Sequence, residues 1–110
     1  ISKAEDAGIG VMGIRAVAAG SLTDAIDRDV HPKSAELKDF QRSAGFRELA
    51  KSNGLSPAYL AHLYALSMPG VDTVVLGVKN REELTECLEA EAAAPMSAEL
   101  VAAMDASVAN

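Results

Sequence analysis

The chain has 110 residues, with 10 basic and 16 acidic side chains, a formal net charge of −6 and an isoelectric point near 4.8. Hydrophobic residues make up 49% and charged residues 24%, which suits one globular domain burying about 60–70% of its unfolded surface. The acidic balance argues against a nucleic acid or an anionic membrane as partner, since phosphate binding needs clustered Lys and Arg, and no run approaches the ~20 apolar residues of a membrane span.

Charge is uneven along the chain. Six of the ten basic residues fall between Arg28 and Lys51, nearly balanced by acids, as on a solvated loop and helix surface. From Arg81 onward one base faces seven acids, the pattern of an acidic outer helix face. Cys87 is the only cysteine, so no internal disulfide forms, which fits a reducing, cytoplasmic compartment. The opening Ile-Ser-Lys-Ala-Glu-Asp has neither the pattern of a signal peptide nor a Met, and reads as part of something longer.

In chain order, residues 1–7 read as the tail of a helix ended by Gly8. A short continuous apolar run follows, and residues 9–15 are expected to form a strand covered on both faces, as in a parallel sheet. Residues 24–37 are polar, broken by His31-Pro32, and read as one long loop of the kind that is usually functional or disordered. A helix is expected over 39–52, with Phe46, Leu49 and Ala50 as its apolar stripe and Asn53-Gly54 as its stop.

The next helix starts at once. Ser56 is its N-cap and Pro57 takes the first helical position, where a missing N–H costs nothing. Leu60, Leu63, Tyr64 and Ser67 share one face, widened by Ala61, Ala65 and Met68, so this helix should be well buried before Pro69-Gly70 ends it. Residues 71–76 form the clearest strand, β-branched and bounded by Gly70 and Gly77. A helix over 81–90 should turn Leu84 and Leu88 inward, with Asn80 and Glu83 at capping-box spacing. After Pro95, Ser97 caps a last helix carrying Leu100, Val101, Met104 and Val108 on one face.

This order implies parallel strands with right-handed crossovers, an α/β fold. Two strands alone would leave both sheet edges unpaired, which soluble proteins avoid. The pattern therefore reads as the last two βα units of a larger α/β barrel, a form that needs about 250 residues when whole.

Gly8, Gly10 and Gly13 fit G-x-G-x-x-G to the letter. That fingerprint needs its glycines in the turn between a strand and a helix, with an acidic residue about 20 positions on. Here the strand coincides with the glycines and no capped helix opens after Gly13, so a dinucleotide-binding Rossmann unit is disfavoured. Small residues that let a barrel wall pack closely explain them better.

Three stretches resemble the aldo-keto reductase family: G-I-G-V-M-G-I-R-A-V-A-A-G-S-L at 8–22, L-A-K-S-N-G-L-S-P-A-Y-L-A at 49–61, and P-G-V-D-T-V-V-L-G-V-K-N-R-E-E-L-T-E-C-L at 69–88. They are similar to the family's seventh barrel strand and loop, a following helix pair, and its eighth strand and helix. The resemblance implies the C-terminal part of a (β/α)8 TIM barrel, as a single domain over 1–110. It also implies an NADP(H)-dependent reductase of aldehydes or ketones, with NAD(H) as the alternative.

Carried over by resemblance, Arg15, Val17, Gly20 and Leu22 lie along the cofactor's pyrophosphate, and Gly77, Val78, Lys79, Glu83, Glu86 and Cys87 hold the adenosine and its 2′-phosphate. The chemistry agrees in part. Gly77 permits close backbone approach, the amides after Asn80 open a helix N-terminus, and Lys79 and Arg81 add positive charge. The departures are Arg15 for the usual Ser, Ala16 for Pro, Cys87 for the Asn that meets the adenine, and Glu83 where some members carry an Arg for the 2′-phosphate.

The family's catalytic Asp, Tyr, Lys and His lie before the matched region, so no catalytic residue maps here and the chain by itself is expected to be inactive. Tyr59 and Tyr64 read as packing residues, His62 as a core or helix-surface residue, His31 as solvent-exposed, and Cys87 as buried, inert and without a His partner. No metal site is expected. A carbonyl compound is the implied substrate, and the remainder of the barrel or a second copy of the chain the implied partner. The competing reading is a non-catalytic α/β oligomerisation or binding module.

Overall fold

A computed structural model describes residues 1–20, 22–26 and 29–108. Its elements in order are α1 (Ser2–Asp6), β1 (Met12–Gly13), a 3₁₀ turn (Ala18–Gly20), α2 (Ala35–Arg42), α3 (Ala44–Ser52), α4 (Pro57–Ser67), β2 (Thr73–Val74), α5 (Arg81–Ala93) and α6 (Ala98–Val108).

The two strands pair in parallel, Met12 opposite Thr73 and Gly13 opposite Val74. Backbone bonds from Asp72 and Thr73 N–H to the Val11 carbonyl, and from Val75 N–H to the Gly13 carbonyl, extend the pairing by about a residue each way. Both strands sit inside the runs expected from sequence, 9–15 and 71–76, but the ladder is shorter than either run. Among the described residues each strand has a single neighbour, so flanking residues have no second partner to hold them in register. Several apolar residues around this sheet face outward: Met12 is 63% and Ile14 68% exposed, while Val11 and Val74 are half-buried.

Side-chain caps set the starts of α2, α4, α5 and α6. Ser34 Oγ accepts from Leu37 N–H, Ser56 Oγ from Tyr59 N–H, Asn80 Oδ1 from Glu83 N–H and Ser97 Oγ from Leu100 N–H, each taking an amide that the helix itself leaves unpaired. The Ser34 cap starts α2 at Ala35, inside what the sequence suggested was loop.

The helix expected over 39–52 is two helices that meet at Ser43. The buried Ser43 hydroxyl donates to the Asp39 carbonyl, 2.7 Å, and so competes with the helical ladder at the junction. Gly45 lies just beyond. A Cβ there would stand 2.8 Å from the Ser107 carbonyl oxygen, so its bare backbone lets α3 and α6 touch. Gly54, at φ +68°, then reverses the chain after α3.

The core lies between α3, α4 and α6, where Phe46, Ala50, Leu60, Ala61 and Met104 are buried together, flanked by Leu49, Leu55, Tyr64 and Leu100. Helix α4 is central, packing on α3, α5 and β2, which is why it is apolar nearly all round. Helix α5 corrects one expectation. Its buried residues are Cys87 and Ala90, whereas Leu84 and Leu88 are 47% and 59% exposed. Small residues bring α5 close against α4, and the leucines turn instead to an open apolar hollow of about 620 Å³ beside β2. Val108 at the end of α6 is likewise exposed, while Leu100 and Val101 are half-buried and Met104 is buried.

The radius of gyration, 14.3 Å, exceeds the ~13 Å of a close-packed chain of this length.

Candidate functional site

Because β1 and β2 run parallel, the chain leaving each one emerges at the same end of the sheet. The two segments that follow converge there on a groove of about 600 Å³. Val17, Gly20, Thr23, Asp24 and Ala25 come from the first segment, Gly77, Lys79, Glu83 and Glu86 from the second, and Ser56 and Ala58 from the start of α4.

The first wall is a run of tight turns. Ala18 N–H bonds to the Arg15 carbonyl, Gly20 and Leu22 N–H to the Val17 carbonyl, and Thr23 Oγ1 donates to the Gly20 carbonyl at 2.7 Å. Arg15 and Ala18 have φ of 59° and 50°, a left-handed backbone that costs non-glycine residues about 1–2 kcal/mol each. Strain of this kind persists only where the surroundings over-determine it, and it concentrates at ligand sites.

The second wall is the start of α5. Asn80 caps the helix through Glu83 N–H at 2.9 Å, and Glu83 Oε2 accepts from Lys79 N–H at 2.8 Å. In the usual capping box the carboxylate returns to the capping residue's own amide; here it reaches one residue further back. Glu86 Oε2 accepts a 2.7 Å bond from Ser56 Oγ, which ties α5 to the cap of α4 across the groove floor.

Of the ten positions singled out from sequence, Val17, Gly20, Gly77, Lys79, Glu83 and Glu86 line this groove. Arg15 lies in a smaller adjoining hollow with Val17, His62 and Gly77. The remaining three are elsewhere: Leu22 packs against the core, and Val78 and Cys87 border the apolar hollow on the other side of α5. Thr23, Asp24 and Ser56 were not anticipated at the groove. Ser56 was legible as a cap, but its bond to a carboxylate thirty residues on was not.

Cys87 also has a partner, contrary to the sequence reading: its Sγ lies 3.6 Å from His62 Nδ1, both residues being buried. Neither repeating pattern nor spacing reveals this pair, since it depends on how α4 and α5 face each other. Burial pushes the Cys87 thiol up, and Glu86 and Glu83 push it the same way. Burial lowers the His62 imidazole, against the pull of the same two carboxylates. Both groups are therefore neutral near pH 7, and the pair is a structural contact rather than an activated nucleophile.

Tyr64 is away from the groove. Its hydroxyl donates to Asp105 Oδ1 at 2.8 Å, and that bond, with burial, raises the phenol above its ordinary value. His31 is exposed, its Nδ1 accepting from Lys33 N–H. Among the described residues no cluster of three His, Cys, Asp or Glu could hold a metal ion, and no helix is long and apolar enough to cross a membrane.

The sequence model of the Aldo/keto reductase family matches residues 1–109. The chain belongs to the aldo/keto reductase family. No curated protein matches it. Membership indicates an oxidoreductase that works with a nicotinamide cofactor on small carbonyl compounds, in a family whose fold is the TIM barrel. Ligand sites in such barrels lie at the carboxyl ends of the strands, the end at which this groove opens.

Proposed function

We propose that this chain is the C-terminal, cofactor-holding part of a barrel reductase, binding NADP(H), or alternatively NAD(H), while aldehydes or ketones are reduced to alcohols. One observation carries the reading: the segments leaving two adjacent parallel strands, some sixty residues apart, form opposite walls of one groove. Barrel and open-sheet enzymes bind dinucleotides at such strand ends. A groove of about 600 Å³ is also of the size such ligands need.

The bound dinucleotide would supply the hydride. The chain's own part is positioning: the turns around Val17 and Gly20 offer backbone to a pyrophosphate, and Gly77 leaves room beside the adenosine. No described residue at the groove is a phenol or imidazole that could protonate a carbonyl oxygen, so the substrate side belongs to the remainder of the barrel. The exposed Met12, Ile14, Leu84 and Leu88 suit that remainder, and in its absence a second copy of the chain. The same surface supports the competing reading, a non-catalytic association module. Cys87, which forms no disulfide, is in keeping with a cytoplasmic setting.

Isothermal titration of the chain with NADH and NADPH separates the readings. Saturable binding of either, with no oxidation when an aldehyde is added, is the expected result. Failure to bind both, with self-association retained, would favour the association module.

A further inference from the structure

The groove's charge is at odds with a phosphate beyond the pyrophosphate. Its described lining contains three carboxylates, Asp24, Glu83 and Glu86, and one cation, Lys79; Arg81, the other base at this end of α5, does not line it. Glu83 also occupies the position an incoming anion would take. Its Oε2 already accepts from Lys79 N–H in front of α5, so a negative group sits at the positive end of the helix dipole. A 2′-phosphate at this wall would meet that carboxylate rather than the helix.

A ribose 2′-hydroxyl has the opposite requirement, an acceptor. Glu83 and Glu86 each use Oε2 for an internal bond, and each carboxylate carries a second oxygen, Oε1, able to accept. Both residues lie on one face of α5, three positions apart.

We infer that this groove selects NAD(H) over NADP(H), with Glu83 as the residue that excludes the 2′-phosphate and Glu86 as its support. The inference rests on the proposed reading that the groove takes a nicotinamide dinucleotide.

The test is a pair of titrations, NADH and NADPH, on the chain and on Glu83→Gln and Glu86→Gln. Each substitution keeps an amide oxygen to accept from Lys79 N–H or Ser56 Oγ, and circular dichroism checks that folding is retained. The expected result is NADH at least about tenfold tighter than NADPH in the parent chain, with Glu83→Gln closing most of that gap, chiefly through tighter NADPH binding and with a smaller loss for NADH. Raising the salt concentration should narrow the gap as well, because exposed like-charge repulsion is screened. NADPH binding as tightly as NADH, or Glu83→Gln leaving the ratio unchanged, overturns the inference but leaves the dinucleotide reading standing. No binding of either coenzyme overturns both.

Discussion

Ser56 joins two tasks in one hydroxyl: it accepts from Tyr59 N–H as the cap of α4, and it donates to Glu86 Oε2 on α5. Replacing it with Ala removes both. Loss of the cap costs about 1 kcal/mol. A bond to an ionised carboxylate contributes about 1.5–3 kcal/mol when desolvated, and nearer 1 kcal/mol at this half-buried site. Ser56→Ala should therefore cost about 2 kcal/mol, which for a chain of this length lowers the melting temperature by roughly 9 °C.

The two parts can be separated. Ser56→Asp keeps a capping oxygen but cannot donate to Glu86, so it should lose the second contribution only, plus whatever repulsion the new charge adds. A double-mutant cycle of Ser56→Ala with Glu86→Ala, measured by urea unfolding at fixed protein concentration, should give a coupling of about 1 kcal/mol. A coupling below about 0.3 kcal/mol, within the error of simple additivity, would refute the claim that this hydroxyl ties the groove wall to α4.

Two further outcomes are expected. Gly45→Ala should destabilise by about 1–2 kcal/mol despite alanine's better helix propensity, because its Cβ would meet the Ser107 carbonyl oxygen at 2.8 Å; a neutral or stabilising melt would show that α3 and α6 are not in close contact. His62, held below its ordinary 6.5 by burial, lets the unfolded chain take up a proton first as pH falls, so its contribution is flat above about pH 6.5 and destabilising below it. Unfolding of the parent chain and His62→Gln between about pH 7.5 and 5 should show the steeper acid loss in the parent, and equal slopes would contradict the burial account.

Much of the scaffold was legible because it depends on local chemistry. Ser56-Pro57 and Asn80 start their helices as their side chains dictate, and the β-branched run around Thr73 and Val74 is a strand. What escaped depends on partners distant in sequence. The close approach of α6 to Gly45 depends on a segment far along the chain, and Leu84 and Leu88 face outward because Cys87 and Ala90 fit more closely against α4. The same limit applied at the site. Gly77, Lys79 and Glu83 follow one strand and were found together, whereas Ser56 and Asp24 reach the groove from other elements, and the His62–Cys87 contact crosses between two helices.

The central claim is that the groove between the 3₁₀ turn and the start of α5 holds a nicotinamide dinucleotide. Amide chemical-shift mapping of the chain during titration with NADH tests it most directly. The account predicts that Val17, Gly20, Gly77, Lys79 and Glu83 shift together and saturate with one dissociation constant. Shifts confined to the hollow between α4 and α6, around Tyr64, Met68 and Val101, or no shifts at all, would contradict it.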